Sequence, residues 1–165
     1  MDRRQEMPIG IKLIVAFFAI GAVGFLIGQG SAVVDYEWAA DVGLQESLDG
    51  NPPAIIETNR AIGLVDVIVA VPLFIVAAVG LWRLKFFGLV ASWLALGINL
   101  YWPLVAWAKK EFYLRADLQA DSFPISTHLM LAFFFIPSIW AIWYLYRNRE
   151  LFDYGRVSST TVDSR

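Results

Sequence analysis

Four long runs of apolar residues divide the 165-residue chain, at about 11–30, 61–82, 86–108 and 125–146. A membrane hydrocarbon core about 30 Å thick requires about 20 apolar residues per helix, and each run meets that length. The apolar residues are continuous rather than alternating, which disfavours the strands of a membrane barrel. The pattern predicts an all-α membrane protein, an antiparallel four-transmembrane-helix bundle that forms one domain over residues 1–150.

The segments outside these runs predict two further features. Residues 35–49 are expected to form a short external helix in the membrane interface, with Asp35 as its cap and Gly50 where the helix stops. The alternative for this helix is a lid over an outward-facing pocket. The polar, Ser- and Thr-rich residues 151–165 predict a disordered cytoplasmic tail.

Basic residues predict the orientation, because they are enriched in cytoplasmic loops and near span ends. They precede the first run, occupy the turn at 83–85 and follow the fourth run, whereas the segment 31–60 is acidic. Segment 109–124 is mixed and weakens this signal without reversing it. We therefore expect a prokaryotic plasma membrane protein with both termini in the cytoplasm. The alternative is a cleaved first run, ending at the Gly-Ser-Ala of 30–32, which would leave three spans.

Composition narrows the chemistry. The chain has no cysteine, which excludes disulfides, thiolate metal sites and thiol–disulfide exchange, and its one histidine excludes a haem held by two histidines of the chain and a multi-histidine zinc site. The net charge of −2, without a dense basic block, makes nucleic acid an improbable partner. We expect neither a metal nor a cofactor, and the lipid bilayer as the main partner.

Polar residues inside the runs give the candidate ligand-binding site. A carboxylate within a span costs about 2.5–3.5 kcal/mol on insertion scales, and Asp66 has no basic residue in its own run. At 1.5 Å per residue, Asp66 lies roughly 9 Å, Asn99 roughly 13 Å and His128 roughly 5 Å below the outer surface, with Trp102 shallower than Asn99. These four residues come from three runs and share the outer half. The competing interpretation is structural, with a protonated Asp66 hydrogen-bonded to Asn99.

Helical spacing places the polar residues on packed faces. In the third run one stripe is small at its inner end and polar or aromatic at its outer end, and the second run carries a comparable stripe. Close packing of the small inner ends would let the outer ends diverge around a vestibule, with Asp66 and Asn99 near its floor. Pro72 is expected to kink the second run below Asp66. The two stripes are Gly88, Ser92, Ala95, Asn99, Trp102 and Ala106, and Asp66, Ala70, Leu73, Ala77 and Gly80.

Gly24 and Gly28 form a GxxxG pair in the first run. We expect them to pack inside the bundle, and the alternative is a homo-oligomer through the same pair.

The stretch from Asn59 to Ala108 resembles small four-span membrane proteins of prokaryotes, a resemblance that implies no activity. The chain is also similar in span count to small multidrug exporters and to four-helix thiol oxidoreductases. It lacks the first-span glutamate of the former and the cysteines of the latter. The residues that carry the first resemblance are Asn59-Arg60, Asp66, Pro72-Leu73, Gly80-Leu81, Gly88 and Tyr101-Trp102-Pro103.

These features favour a binding or accessory protein over an enzyme. A small or lipid-like ligand would place its polar end near Asp66, Asn99 and His128, and its apolar part against Trp102 and the phenylalanines of 133–135. The alternatives are an enzyme on a lipid-like substrate with Asp66 and His128 as acid and base, and a structural subunit of a larger membrane complex. A proton-coupled transporter is the last alternative; it would require a dimer, because the inner half offers no polar exit path.

Overall fold

The computed structural model describes residues 7–118 and 122–152. A π-helical turn, Asp66–Ala70, joins the third helix (Pro53–Val65) to the fourth (Val71–Trp82). A 3-10 turn, Arg149–Leu151, follows the sixth helix (Ile125–Arg147). Four helical stretches are long and apolar enough to cross a membrane: Ile9–Val34, Pro53–Trp82, Phe86–Arg115 and Ile125–Arg147. The helices are α1 (Ile9–Val34), α2 (Tyr36–Asp41), α3 (Pro53–Val65), α4 (Val71–Trp82), α5 (Phe86–Arg115) and α6 (Ile125–Arg147).

The four helices expected from the apolar runs are confirmed, and all of them extend past the predicted bounds. The second stretch begins at Pro53 instead of residue 61, and α5 continues to Arg115 instead of residue 108. The additional helical turns carry polar side chains. Hydropathy leaves such residues outside the predicted spans, although a helix can continue through them. They matter for function, because they bring charged groups of different helices together.

The helix after α1 is shorter than predicted. Asp35 caps it as expected, its carboxylate accepting a hydrogen bond from the main-chain N–H of Trp38 at 3.0 Å. The helix ends at Asp41 and does not reach residue 49. Gly43, with φ of 77°, follows that end, and the main-chain N–H of Leu44 donates a hydrogen bond of 2.8 Å to the carbonyl of Ala39. This left-handed termination favours glycine and stops the helix well before Gly50.

Pro72 alters the helix in the way its chemistry requires. It has no N–H to donate to the carbonyl four residues earlier, so the α-helical ladder is interrupted. The chain responds with the π turn, in which the N–H of Val71 bonds to the carbonyl of Asp66. A π turn inserts one extra residue, so it changes the direction in which side chains before and after it project. Asp66 stands at the first position of this turn.

α4 and α5 pack most tightly beside the turn of residues 83–85. A Cβ added to Gly80 would collide with the backbone of Gly88, and the reverse substitution would collide as well. The hydroxyl of Ser92 donates to the carbonyl of Gly88 and so needs no partner from another helix. The predicted close approach of these small faces is confirmed. We call this end of the helices the turn end, and the end beside α2 the loop end.

α1 packs on α4, and α6 packs on α5. Phe74 of α4 is fully buried, with its ring 5.9 Å from that of Phe18 and 5.2 Å from that of Phe25. Aromatic side chains also connect α1 to α6, with the Phe25 and Phe134 ring centroids 5.6 Å apart. The core is therefore built from phenylalanine on one side and from alanine and glycine on the other.

Gly24 and Gly28 of α1 do not pack against another helix of this chain among the described residues. A Cβ at Gly24 or Gly28 would meet no atom of the described residues within 4 Å. The expectation of internal packing is thus wrong for this pair. Gly21 takes that role, because a Cβ there would lie 3.3 Å from the Phe74 ring.

The ordered chain continues past the predicted start of the tail. Leu151 closes the 3-10 turn, and Phe152 is buried against the core. The rest of the predicted tail, from residue 153, lies outside the described residues.

Candidate functional site

Asn99 is the most deeply buried of the predicted site residues. It lies on the face of α5 that also buries Ala95 and Pro103, and it is only 2% exposed. Its side-chain oxygen, Oδ1, has no hydrogen-bond partner among the described residues. Pro103 stands four residues later and lacks an N–H, so the main-chain carbonyl of Asn99 loses its usual helical donor. Asn99 therefore presents acceptor oxygens whose normal partners are absent.

Asp66 is half-buried, and its Oδ2 is a second buried oxygen to which no residue in the described ranges donates a hydrogen bond. It forms no ion pair with any described residue; the ion pairs in those ranges join Arg60 to Glu57, Lys110 to Glu46 and Arg115 to Glu111. A buried carboxylate oxygen without a donor is costly, and such groups are rare in folded proteins.

Trp102 connects these two residues. Its side chain interacts with the Asp66 carboxyl group, and it lies one helical turn after Asn99 on α5. Trp102 is half-buried and packs against the core. The structure thus brings Asp66 and Trp102 together and places Asn99 one turn further into the packed part of α5.

His128 is placed differently. It is exposed, and its Nδ1 accepts a hydrogen bond of 3.0 Å from the Trp107 indole N–H. The ring also lies 6.1 Å from that of Phe123. These contacts assign His128 to an aromatic cluster between the end of α5 and the start of α6. None of its described contacts is with Asp66, Asn99 or Trp102.

The structure also contains a second polar cluster, centred on Asn59, which the sequence pattern did not predict. Asn59 is 8% exposed, and its Nδ2 donates to Tyr36 Oη at 3.3 Å and to Glu46 Oε2 at 3.2 Å. Its Oδ1 accepts a hydrogen bond of 2.8 Å from the Lys109 ammonium. Lys110 lies 3.8 Å from the same Glu46. We call these five residues the loop-end network; it connects α2, the segment after it, α3 and α5.

Burial raises the pKa of the Tyr36 phenol above its ordinary value of 10. The hydrogen bond from Asn59 opposes this shift, and the negative charge of Glu46 adds to it. The hydroxyl is therefore protonated at neutral pH, which suits its position beside a carboxylate.

Helical spacing was the available signal for this network. Asn59 precedes Asp66 by seven residues and Lys109 follows Trp102 by seven, so each pair lies along one helix face. Gly63 lies between Asn59 and Asp66 and contacts α1, because a Cβ there would lie 2.8 Å from the Gln29 carbonyl oxygen. The polar face of the second stretch is thus continuous from the loop end to the π turn.

Two shallow apolar grooves mark the described surface. One, of about 300 Å³, lies between α1 and α4, and the other, of about 280 Å³, lies between α1 and α6. Neither is lined by Asp66, Asn99, Trp102 or His128, so the vestibule stays a prediction. Within residues 7–118 and 122–152, no three His, Asp or Glu side chains come together as a metal-binding group.

Comparison with known proteins provides no further assignment. No family model, no curated protein and no solved structure matches the chain. The site must therefore be interpreted from its own geometry.

Proposed function

We propose that this chain is a multi-pass membrane protein whose four apolar helical stretches span the bilayer as an antiparallel bundle. Large apolar side chains on every stretch are exposed, among them Ile9 at 71%, Ile68 at 62%, Leu94 at 59% and Ile136 at 64%. Such surfaces are unfavourable in water and suit contact with lipid. The pairs Gly80–Gly88, Asp66–Trp102 and Asn59–Lys109 run in opposite sequence directions along the second and third stretches, which supports the antiparallel order.

The charge distribution supports a loop end that faces the cell exterior and termini that face the cytoplasm. Arg83 and Lys85 lie in the turn at the other end, as expected for a short cytoplasmic loop. The lysines that weakened this signal, Lys109 and Lys110, interact with Asn59 and Glu46. Glu46 offsets one of these two charges, so the two lysines still weaken the signal without reversing it.

The function we infer is recognition of a small or lipid-like ligand at the Asp66, Asn99 and Trp102 site. One observation carries this inference: Asp66 Oδ2 and Asn99 Oδ1 are both buried, and within residues 7–118 and 122–152 both lack a hydrogen-bond partner. A ligand that donates hydrogen bonds to these oxygens would remove a penalty of about 1–3 kcal/mol for each of them. The π turn beside Asp66 fits the same interpretation, since such turns often occur at functional sites.

Analysis of co-purifying molecules tests this function. The protein is extracted from membranes in a mild detergent and its bound small molecules are identified by mass spectrometry. We expect a stoichiometric ligand in the wild type that is absent from Asp66→Leu and retained in Ser138→Ala. Ser138 is an apt control because it is a buried polar residue of another helical stretch, and its hydroxyl donates to its own helix at Phe134. Equal ligand content in all three proteins would refute the proposed site.

The acid–base enzyme stays an unsupported alternative, because the described contacts of His128 are with Trp107 and Phe123. A general base must come within hydrogen-bond reach of its substrate, directly or through one water.

A further inference from the structure

The chemical character of the site specifies the ligand class more narrowly. The groups with unmet hydrogen bonds are Asp66 Oδ2 and Asn99 Oδ1, and both are oxygens that accept. The main-chain carbonyl of Asn99 adds acceptor character to the same turn, because Pro103 has no N–H to donate to it. A ligand that binds here must supply N–H or O–H donors, and a ligand rich in acceptors would increase the mismatch.

Charge narrows the choice further. Asp66 has no ion pair among the described residues. The two lysines of α5, Lys109 and Lys110, interact at the loop end with Asn59 and Glu46. A carboxylate in a low-dielectric environment favours a cationic partner, because the attraction is weakly screened there. An anionic headgroup would face Asp66 without any compensating cation.

Trp102 supplies the third element. Its side chain lies beside the Asp66 carboxyl group, to which the indole N–H at the ring edge can donate, and tryptophan is the most favourable aromatic side chain for a cation nearby. Half-buried, it also offers an apolar wall next to the charged site.

We infer that the site binds a protonated primary amine with an apolar tail, whose ammonium group donates to the unpartnered oxygens of Asp66 and Asn99 beside the Trp102 ring. A primary ammonium has three N–H donors, which is enough to supply both unpartnered oxygens. This inference rests on the proposed ligand site and names the ligand class for it. The amine belongs either to a free amphiphile or to the headgroup of phosphatidylethanolamine.

Four probes with the same twelve-carbon tail separate the contributions of charge and donors. The purified protein, in a nonionic detergent at pH 7, is titrated with dodecylamine, dodecyltrimethylammonium, dodecanol and dodecanoate, and binding is followed by thermal shift. We expect dodecylamine to bind most tightly. The trimethylammonium probe has the charge without N–H donors, so its affinity should fall about tenfold or more, as for charge-assisted hydrogen bonds left unmade.

Variants assign the binding to the named oxygens. Asp66→Asn should abolish the preference for dodecylamine over dodecanol, and Asn99→Leu should reduce the preference for dodecylamine over the trimethylammonium probe. Glu57→Gln is the matched control, because it removes an exposed carboxylate from the same helical stretch and should change neither preference. Monodispersity and helical circular dichroism of each variant establish that it is folded.

Vesicles distinguish the two sources of the amine. If phosphatidylethanolamine is the ligand, its addition to phosphatidylcholine vesicles should suppress dodecylamine binding; if a free amphiphile is the ligand, dodecylamine binding should persist. Either result supports the amine. Tighter binding of dodecanol or dodecanoate that depends on Asp66 would overturn the amine and keep the ligand site. If no probe and no co-purifying molecule depends on Asp66 or Asn99, both the amine and the proposed function are refuted.

Discussion

Two polar regions lie on the same two helical stretches and differ in how their hydrogen bonds are met. In the loop-end network, Asn59 donates to Tyr36 and Glu46 and accepts from Lys109. About two to three turns further along the same two stretches, Asp66 and Asn99 each keep a buried oxygen that has no partner among the described residues. The first region joins α2, α3 and α5 through hydrogen bonds, whereas the second contains the acceptor oxygens of the proposed ligand site.

The difference follows from what surrounds each region. The loop end is reached by α2 and by flexible side chains from outside the apolar runs, so donors and acceptors can be matched. At Asp66 and Asn99 the neighbours are apolar helix faces, and proline removes backbone donors nearby. Substitutions should therefore affect folding in the first region and ligand recognition in the second.

The largest effect is expected from a substitution that pushes α4 away from α5 and so disturbs both polar regions. Gly80→Ala places a methyl group against the Gly88 backbone, where no flexible side chain can yield. We expect a loss of at least about 3 kcal/mol of stability, or no folded protein, measured by unfolding in mixed micelles. Gly97→Ala is the matched control, because a Cβ there meets no described atom within 4 Å. Wild-type stability of Gly80→Ala would contradict the close packing at the turn end.

The next effect belongs to the loop-end network alone. Asn59→Leu removes the partner shared by Tyr36, Glu46 and Lys109, and we expect a loss of about 3 kcal/mol because charged groups lose their hydrogen bonds. Thr58→Ala should stay within about 0.5 kcal/mol, since Thr58 is exposed and bonds only to its own helix. Thermal unfolding measures both. A small effect of Asn59→Leu would mean that the network does not hold the loop end together.

The corresponding change at the second region should have the opposite sign. Asn99→Leu replaces a buried amide whose oxygen is unsatisfied with a somewhat larger apolar side chain that has the same branching. We expect stability to be unchanged or to rise by about 1 kcal/mol, with loss of ligand binding. A loss of more than about 2 kcal/mol, without a change in bound ligand, would identify Asn99 as a structural residue bonded to a protonated Asp66.

The smallest effect is a dependence on alkaline pH. The raised pKa of Tyr36 means that its neutral phenol contributes stability fully below pH of about 10, and that this contribution is lost as the pH rises through the higher folded-state value. Tyr36→Phe should lose about 1 kcal/mol at neutral pH, because the bond from Asn59 is removed. Above pH 10 it should lose less stability than the wild type. Parallel pH profiles of the two proteins would argue that Tyr36 is not buried beside Glu46.

The sequence was a good guide where one local rule applied. Apolar run length predicted the four long helices, and the carboxylate of Asp35 predicted the start of α2. The small-residue stripes predicted that Gly80 and Gly88 meet. The sequence pattern predicted the wrong end for α2, because two glycines, Gly43 and Gly50, could each terminate a helix. The helix stops just before Gly43, which has the left-handed conformation, and does not continue to Gly50.

Hydropathy also concealed the loop-end network. Asn59, Lys109 and Lys110 lie beyond the apolar runs, so they were treated as loop residues, yet the helices extend through them. Similarly, the spacing of Gly24 and Gly28 suggested internal packing, whereas a Cβ at either would touch nothing described. A spacing rule identifies a face but does not say which neighbour covers that face.

The amino-acid sequence by itself determined the helices and their apolar character, because these depend on side-chain chemistry and on interactions within a few residues. It also determined that Asp66 and Asn99 are polar groups in apolar surroundings. Only the tertiary structure decided which polar groups are satisfied, since hydrogen bonds between helices depend on the register of residues far apart in the chain. That register joins Asn59 to Lys109 across 50 positions and leaves one side-chain oxygen each of Asp66 and Asn99 without a partner in the part of the chain that the structure describes.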